Sequence, residues 1–161
     1  MRIRATEERD HAAIAAIVCA VAATGETYAL PRDLSPAAAL EAWLDPAATV
    51  LAAVDDDETV LGTAKYLPVR PAGGAHVATA SFMVAPDASG RGIGRALGEE
   101  VLRRAREAGY AAMQFNAVVE TNTAAIALWE SLGFRVMTTI PAAFEHPTAG
   151  RVGLHVMHRE L

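Results

Sequence analysis

One cysteine, one lysine and no long apolar run set the first limits on this 161-residue chain. The lone Cys19 leaves no disulfide framework and no thiolate metal site. His146, His155 and His158 lack metal-like spacing and stand near no carboxylate cluster, so no metal is expected. No stretch reaches the ~18 apolar residues that a membrane span needs, and Met1 leads straight into a strand-like segment rather than a leader peptide. The expectation is no membrane partner and a reducing cytoplasm. Basic blocks are missing as well. The 14 Lys and Arg, with Lys65 the only lysine, are scattered among 19 acidic residues and leave a net charge of −5. Gripping a phosphate backbone requires clustered cations, so nucleic acid is not expected as a partner, and small neutral or cationic ones suit the charge better. What the chain does have is apolar surface. It is 52% hydrophobic and 20% charged, with no repeat, low-complexity tract or linker, which fits one globular domain over residues 1–161.

The pattern of residues predicts the order β-α-α-β-β-β-α-β-α-β-β, an α/β (α+β) chain rather than a regular βαβ array. Residues 2–5 read as a strand, and Thr6 as the cap of a helix with Glu7, Glu8 and Asp10 in its first turn. Ser35-Pro36 announces a second helix, a cap residue followed by proline at the first helical position. Residues 48–54 and 59–68 read as a hairpin around Asp55-Asp56-Asp57-Glu58, and His76 to Val84 as a further strand. A helix is predicted from about Gly92 to Ala108, a strand over 111–119 and a helix over 122–132. Strands over 134–140 and 151–160 follow, with Pro141 to Gly150 as a loop between them.

The segment from Pro86 to Arg95 joins a strand to a helix and holds Gly90, Gly92 and Gly94. Glycines permit positive φ and close backbone approach, and the first turn of a helix has free N–H groups and a partial positive charge. Together these suit a pyrophosphate, with Arg91 and Arg95 adding charge. A Walker loop would end in Gly-Lys-Ser/Thr, which Gly94-Arg95-Ala96 does not supply. A dinucleotide fingerprint would have glycine where Leu97 stands. On its own the loop fits either a phosphate cradle or a plain glycine turn capping a helix.

About thirty residues on, Asn122-x-x-Ala125-x-x-x-Trp129 precedes Gly133-Phe134, and the first three share one helix face. The two segments, in this order and separation, resemble motifs A and B of the GNAT superfamily of N-acetyltransferases, most clearly over residues 78–134. The resemblance implies a mostly antiparallel six- to seven-stranded sheet flanked by about four helices, with acetyl-coenzyme A as acyl donor and often a homodimer. It implies coenzyme contacts from Met83, Val84, Ser89, Gly90, Arg91, Gly92, Ile93, Gly94 and Arg95, and from Asn122, Ala125 and Trp129. The backbone of Met83 and Val84 would meet the thioester carbonyl. Three features depart from the family pattern: Ser89 occupies an Arg/Gln position, Trp129 the position of a tyrosine that protonates the departing thiolate, and the strand from Thr79 to Val84 has no acidic residue where many relatives keep a water-binding glutamate. An indole N–H donates but is no practical acid.

The implied reaction is direct attack of a neutral primary amine of a small molecule, amino acid or peptide on the thioester. Neutralising a lysine-like amine of pKa ~10.4 at pH 7 costs ~4.6 kcal/mol, an α-amine of pKa ~7.7–8 only ~1–1.4 kcal/mol. Glu26, Glu120 and His76 are the candidate bases, with water as the alternative. Thr27 and Tyr28, followed by Pro31, Ser35 and Trp43, loosely resemble the acceptor side of phosphinothricin-type acetyltransferases, although Ala29 stands where those often have glutamate. Asn116, polar within an apolar strand, is a further acceptor candidate. The departures at Ser89 and Trp129 and the missing strand glutamate leave a second reading open, a non-enzymatic acyl-coenzyme A sensor or partner-dependent subunit.

Overall fold

The structure, a computed structural model, describes residues 1–161. The elements are β1 (Arg2–Ala5), α1 (His11–Thr24), α2 (Pro36–Trp43), β2 (Thr49–Val54), β3 (Val60–Pro68), β4 (Val77–Val84), α3 (Ile93–Glu107), β5 (Ala112–Val119), α4 (Thr123–Ser131), β6 (Arg135–His146) and β7 (Gly150–Glu160). They follow the order expected from the sequence. One seven-stranded sheet runs β1-β2-β3-β4-β5-β7-β6. Every pairing is antiparallel except β4 with β5. No helix is long and apolar enough to cross a membrane.

Adjacent residues of a strand face opposite sides of the sheet, which shows how the helices are layered. The open side of Gly62 faces Ile93 and Leu97 of α3. Its neighbour Thr63, fully buried, accepts the indole N–H of Trp43 from α2 at 2.9 Å and donates to the Leu51 carbonyl at 2.8 Å. Thus α2 and α3 pack on opposite faces of β3. Leu97, Val101 and Ala105 of α3 recur at helical spacing and are fully buried.

Two details depart from the expectations. Thr6 does not cap a helix: its hydroxyl lies 3.4 Å from the Val50 carbonyl, and a short 3₁₀ turn, Glu8–Asp10, precedes α1. That turn is anchored by Asp10, which accepts from the Glu7 amide at 2.7 Å. Pro141 to Gly150 is not a loop, because β6 continues to His146 and pairs with β7 down to His146↔Gly150. Proline is tolerated there because β6 is the sheet's outer strand, and a register shift between Ile140 and Phe144 absorbs the irregularity.

Asp10 is 2% exposed and takes two hydrogen bonds from the Arg4 guanidinium, at 2.6 and 2.9 Å. These bonds hold its carboxyl below its ordinary value of 3.8, against the opposing effect of burial. A depressed folded-state pKa contributes stability above the unfolded-state value and loses it as pH falls through the folded one. Asp10→Ala is therefore expected to cost about 3 kcal/mol at pH 7. The gap between the two proteins should narrow once pH drops below about 4. Urea unfolding at pH 7 and pH 3 checks this; a gap that is constant with pH would mean that the ion pair contributes nothing.

Candidate active site

The site begins where two strands part. β4 and β5 are paired only at Val77↔Ala112 and Ala78↔Met113, and from there they diverge. Between them opens a cleft of about 560 Å³. The other edge of β4 stays paired with β3 along its whole length. The Ala85 amide donates to Leu61 at 2.9 Å, which places the alternating backbone groups of Ser81 and Met83 on the β3 side. Those of Ala80, Phe82 and Val84 consequently face the cleft. Of the two residues proposed for the thioester carbonyl, Val84 presents its amide to the opening, while Met83 presents its amide to β3 and buries its side chain.

One of the cleft-facing positions is already engaged. Tyr28 donates its hydroxyl to the Phe82 carbonyl at 2.8 Å and accepts the Phe82 N–H at 2.9 Å. Burial pushes its phenol up to about 12, so the group stays protonated across the physiological range. Opposite, β5 carries a bulge between Phe115↔Met157 and Val118↔His155. Asn116 and Ala117 sit in that bulge, exposed and lining the cleft, with the Asn116 amide oxygen accepting from Gln114 at 2.6 Å.

The glycine loop adjoins the cleft at Val84 and Ser89. Gly90 and Gly92 adopt φ of +76° and +78°, and a Cβ added to either would meet no atom within 4 Å. Gly92 caps α3 without any side-chain contribution. The first intrahelical bond of α3 is Ala96 N–H to the Gly92 carbonyl, which leaves the amides of Ile93, Gly94 and Arg95 free. This is an open, backbone-lined cradle at the positive end of a helix, and a pyrophosphate fits it. Ser89 lines the same opening. Arg95 is tied to Ser131 at 2.8 Å, whereas Arg91 makes no ion pair.

α4, the helix after β5, packs against α3 and borders the cleft. Asn122 caps it by accepting the Ala125 amide at 3.2 Å, and Asn122, Ala125 and Trp129 all line the opening. Trp129 is 7% exposed. Its ring lies 4.6 Å from that of Phe82 and 5.0 Å from that of Phe115, and Phe115 stacks on Phe134 at 4.3 Å. The benzo edge of Trp129 rests on Gly98, where an added Cβ would be 3.1 Å from Cζ3. The indole nitrogen is on the opposite edge and makes no hydrogen bond within the chain.

The fold thus brings together Thr27, Tyr28, Met83, Val84, Ser89, Asn116, Asn122, Ala125 and Trp129. The loop residues Gly90, Arg91, Gly92, Ile93, Gly94 and Arg95 are not among the lining residues and adjoin the cleft through Ser89, and all three candidate bases stay outside it. Glu26 is exposed on the loop after α1 and does not reach the cleft lining. Glu120 turns to β7, where it accepts the Gly153 amide at 2.5 Å. His76 lies before β4, at the closed end of the fork. Sequence reasoning missed Phe82, Ser81, Phe144 and Leu154 as cleft residues. Phe144 sat in the segment read as a loop, and no local signal marks Leu154. No group of three or more His, Cys, Asp or Glu side chains is placed to hold a metal ion.

A splayed β4–β5 fork leads through a glycine loop to a helix with free N-terminal amides. Residues 8–134 match the acetyltransferase (GNAT) family, and the chain belongs to that family. Among solved structures, a GCN5-related N-acetyltransferase from Kribbella flavida is 52% identical, with a TM-score of 0.95 over 99% of this chain and 97% of that one. The yncA protein of Salmonella typhimurium, solved with its cofactor acetyl-CoA, is 28% identical with a TM-score of 0.85, over 100% of this chain and 94% of that one. A phosphinothricin acetyltransferase from Sinorhizobium meliloti shares the fold at 23% identity and a TM-score of 0.86, over 99% and 88%. The chain spans 39% of the curated N-acetyltransferase aca1 of Schizosaccharomyces pombe, matching it at 35% identity over 82 residues, 51% of this chain.

Proposed function

We propose that this chain transfers the acetyl group of acetyl-CoA to the primary amine of a small molecule, amino acid or peptide. The observation that carries the reading is the fork itself. Its β4 wall presents backbone amides along a cleft whose lining reaches Ser89, in the loop that leads to the free N–H groups of α3. Bound acetyl-CoA supplies an activated acyl group. The amides of Ile93, Gly94 and Arg95, opened by Gly90 and Gly92, hold the pyrophosphate, with Arg91 at the surface beside them. Asn122 and Ala125 flank the pantetheine, and the Val84 N–H faces the cleft as a donor to the acyl arm. Thr27, Tyr28 and Asn116 border the acceptor's side. The amine nitrogen forms its bond to the acyl carbon as the carbon–sulfur bond breaks. Its proton leaves to water, and the departing sulfur takes one from water. Holding the two reactants in line supplies most of the rate, ~7–11 kcal/mol in well-oriented cases.

Trp129 can orient the sulfur through its N–H but cannot protonate it. A thiol of pKa ~8.5 leaves at a modest cost, so the missing acid slows the reaction without preventing it. Replacement Trp129→Tyr is expected to raise kcat about tenfold or more, read as amine-dependent release of free thiol. An unchanged kcat would show that the thiolate leaves unassisted. The same assay separates the transferase from the second reading, an acyl-coenzyme A sensor, which is favoured by a cleft without a carboxylate. Binding of acetyl-CoA with no thiol release from any amine would establish the sensor. A homodimer in the cytoplasm completes the proposal. The outer edge of β6, with Met137 58% and Ile140 47% exposed, is the surface such a dimer would cover.

A further inference from the structure

The cleft contains no charged side chain. Among the 21 residues that line it there is no Asp, Glu, His, Lys or Arg. Its acceptor side is walled by Val21, Val119, Phe144 and Leu154, and its polar groups there are the neutral Thr27, Ser81 and Asn116. Of the carboxylates next to lining residues, Glu120 is held by the Gly153 amide, and Glu26 and Glu145 are exposed and outside the lining. From this we infer that the acceptor is a weakly basic amine on a neutral, largely apolar body. The inference rests on the transferase reading and narrows it to a substrate class.

Two physical arguments carry it. An ammonium ion entering this cleft gives up its hydration and finds no counter-ion, so the amine enters neutral. At pH 7 about a tenth of an α-amine of pKa ~7.7–8 is already neutral, against about one part in 2,500 of a lysine-like amine of pKa ~10.4. With no base in the cleft to remove that proton, the more basic amine is handicapped by a factor of about 250. Its greater intrinsic nucleophilicity recovers only part of this. The second argument concerns anions. A free amino acid brings a carboxylate, and the cleft offers it no cation, whereas the corresponding amide enters without charge. The apolar wall then favours a hydrocarbon body over a polar chain.

The test uses the whole chain with acetyl-CoA and three amines that share one branched body: leucinamide, leucine and 3-methylbutylamine. At pH 7, kcat/KM for leucinamide is expected to exceed that for 3-methylbutylamine by on the order of 100-fold, and the gap should close as pH rises toward 10. Leucine should trail leucinamide at every pH. A preference for 3-methylbutylamine or leucine at pH 7, or a gap that does not change with pH, overturns the inference while leaving the transferase reading intact. Thiol release with none of the three, while another amine is acetylated, overturns the inference alone; acetyl-CoA binding without release from any amine overturns both. Asn116→Asp places a carboxylate in the cleft with little change of shape. It is expected to improve 3-methylbutylamine relative to leucinamide about tenfold. An unchanged ratio in a variant that still turns over leucinamide overturns the claim that missing charge sets the preference.

Discussion

Gly92→Val is expected to weaken acetyl-CoA binding at least 100-fold while the protein stays folded. Gly92 sits at φ +78° with open space where a side chain would project, and it precedes the free amides at the start of α3. A β-branched residue there meets two penalties. The left-handed backbone costs about 1–2 kcal/mol, which lowers Tm by several degrees in a domain of this size. The isopropyl group also occupies the space through which a pyrophosphate approaches, and a 100-fold loss corresponds to about 2.7 kcal/mol. The two effects are separable because α3 offers an internal control. Gly109, beyond the other end of the helix, has φ +85° and equally open surroundings. Gly109→Val should lose similar stability and bind acetyl-CoA as the native protein does. Calorimetric titration of the three proteins decides the matter. Equal binding by all three would remove the glycine loop from the site.

Phe115→Ala is expected to have the largest effect on stability, about 3–5 kcal/mol, with Tm lower by roughly 10 °C. Phe115 is 5% exposed and joins Phe82, Trp129 and Phe134 in one aromatic cluster. It is also the last residue of β5 in register with β7 before the bulge. Removing the ring empties the floor beneath Trp129, and the rings above it cannot collapse far because the strands on both sides are paired. kcat should therefore fall more than acetyl-CoA affinity, since the glycine loop is untouched. Urea unfolding and steady-state kinetics read the two consequences. A loss below 1 kcal/mol would mean that the cluster repacks freely and does not support the site.

Much of this molecule was legible because its signals are local. Ser35-Pro36 capped a helix as expected, with the serine hydroxyl accepting the Ala38 amide at 3.2 Å. Asp55 organised the acidic turn through its own carboxylate, accepting from Asp57 and Thr59. The glycines at 90 and 92 took the positive φ that the loop requires, and Asn122 capped α4. Where local signals compete, the reading went astray. Thr6 has the chemistry of a cap, but Asp10, paired with Arg4, anchors the turn instead. Pro141 argues against a strand, yet the outer position of β6 removes the objection.

By itself, then, the sequence determined the element order, the family and the conformation of the glycine loop, because caps, glycine conformations and helical spacing act within a few residues. Only the tertiary structure decided where β4 leaves β5, that Tyr28 reaches across to Phe82, and that Glu26 and Glu120 stay outside a cleft walled by Phe144 and Leu154. Those facts depend on strand register and on contacts between residues far apart in the chain. A one-residue change in register would turn each side chain to the other face of the sheet, and no local window of sequence specifies it.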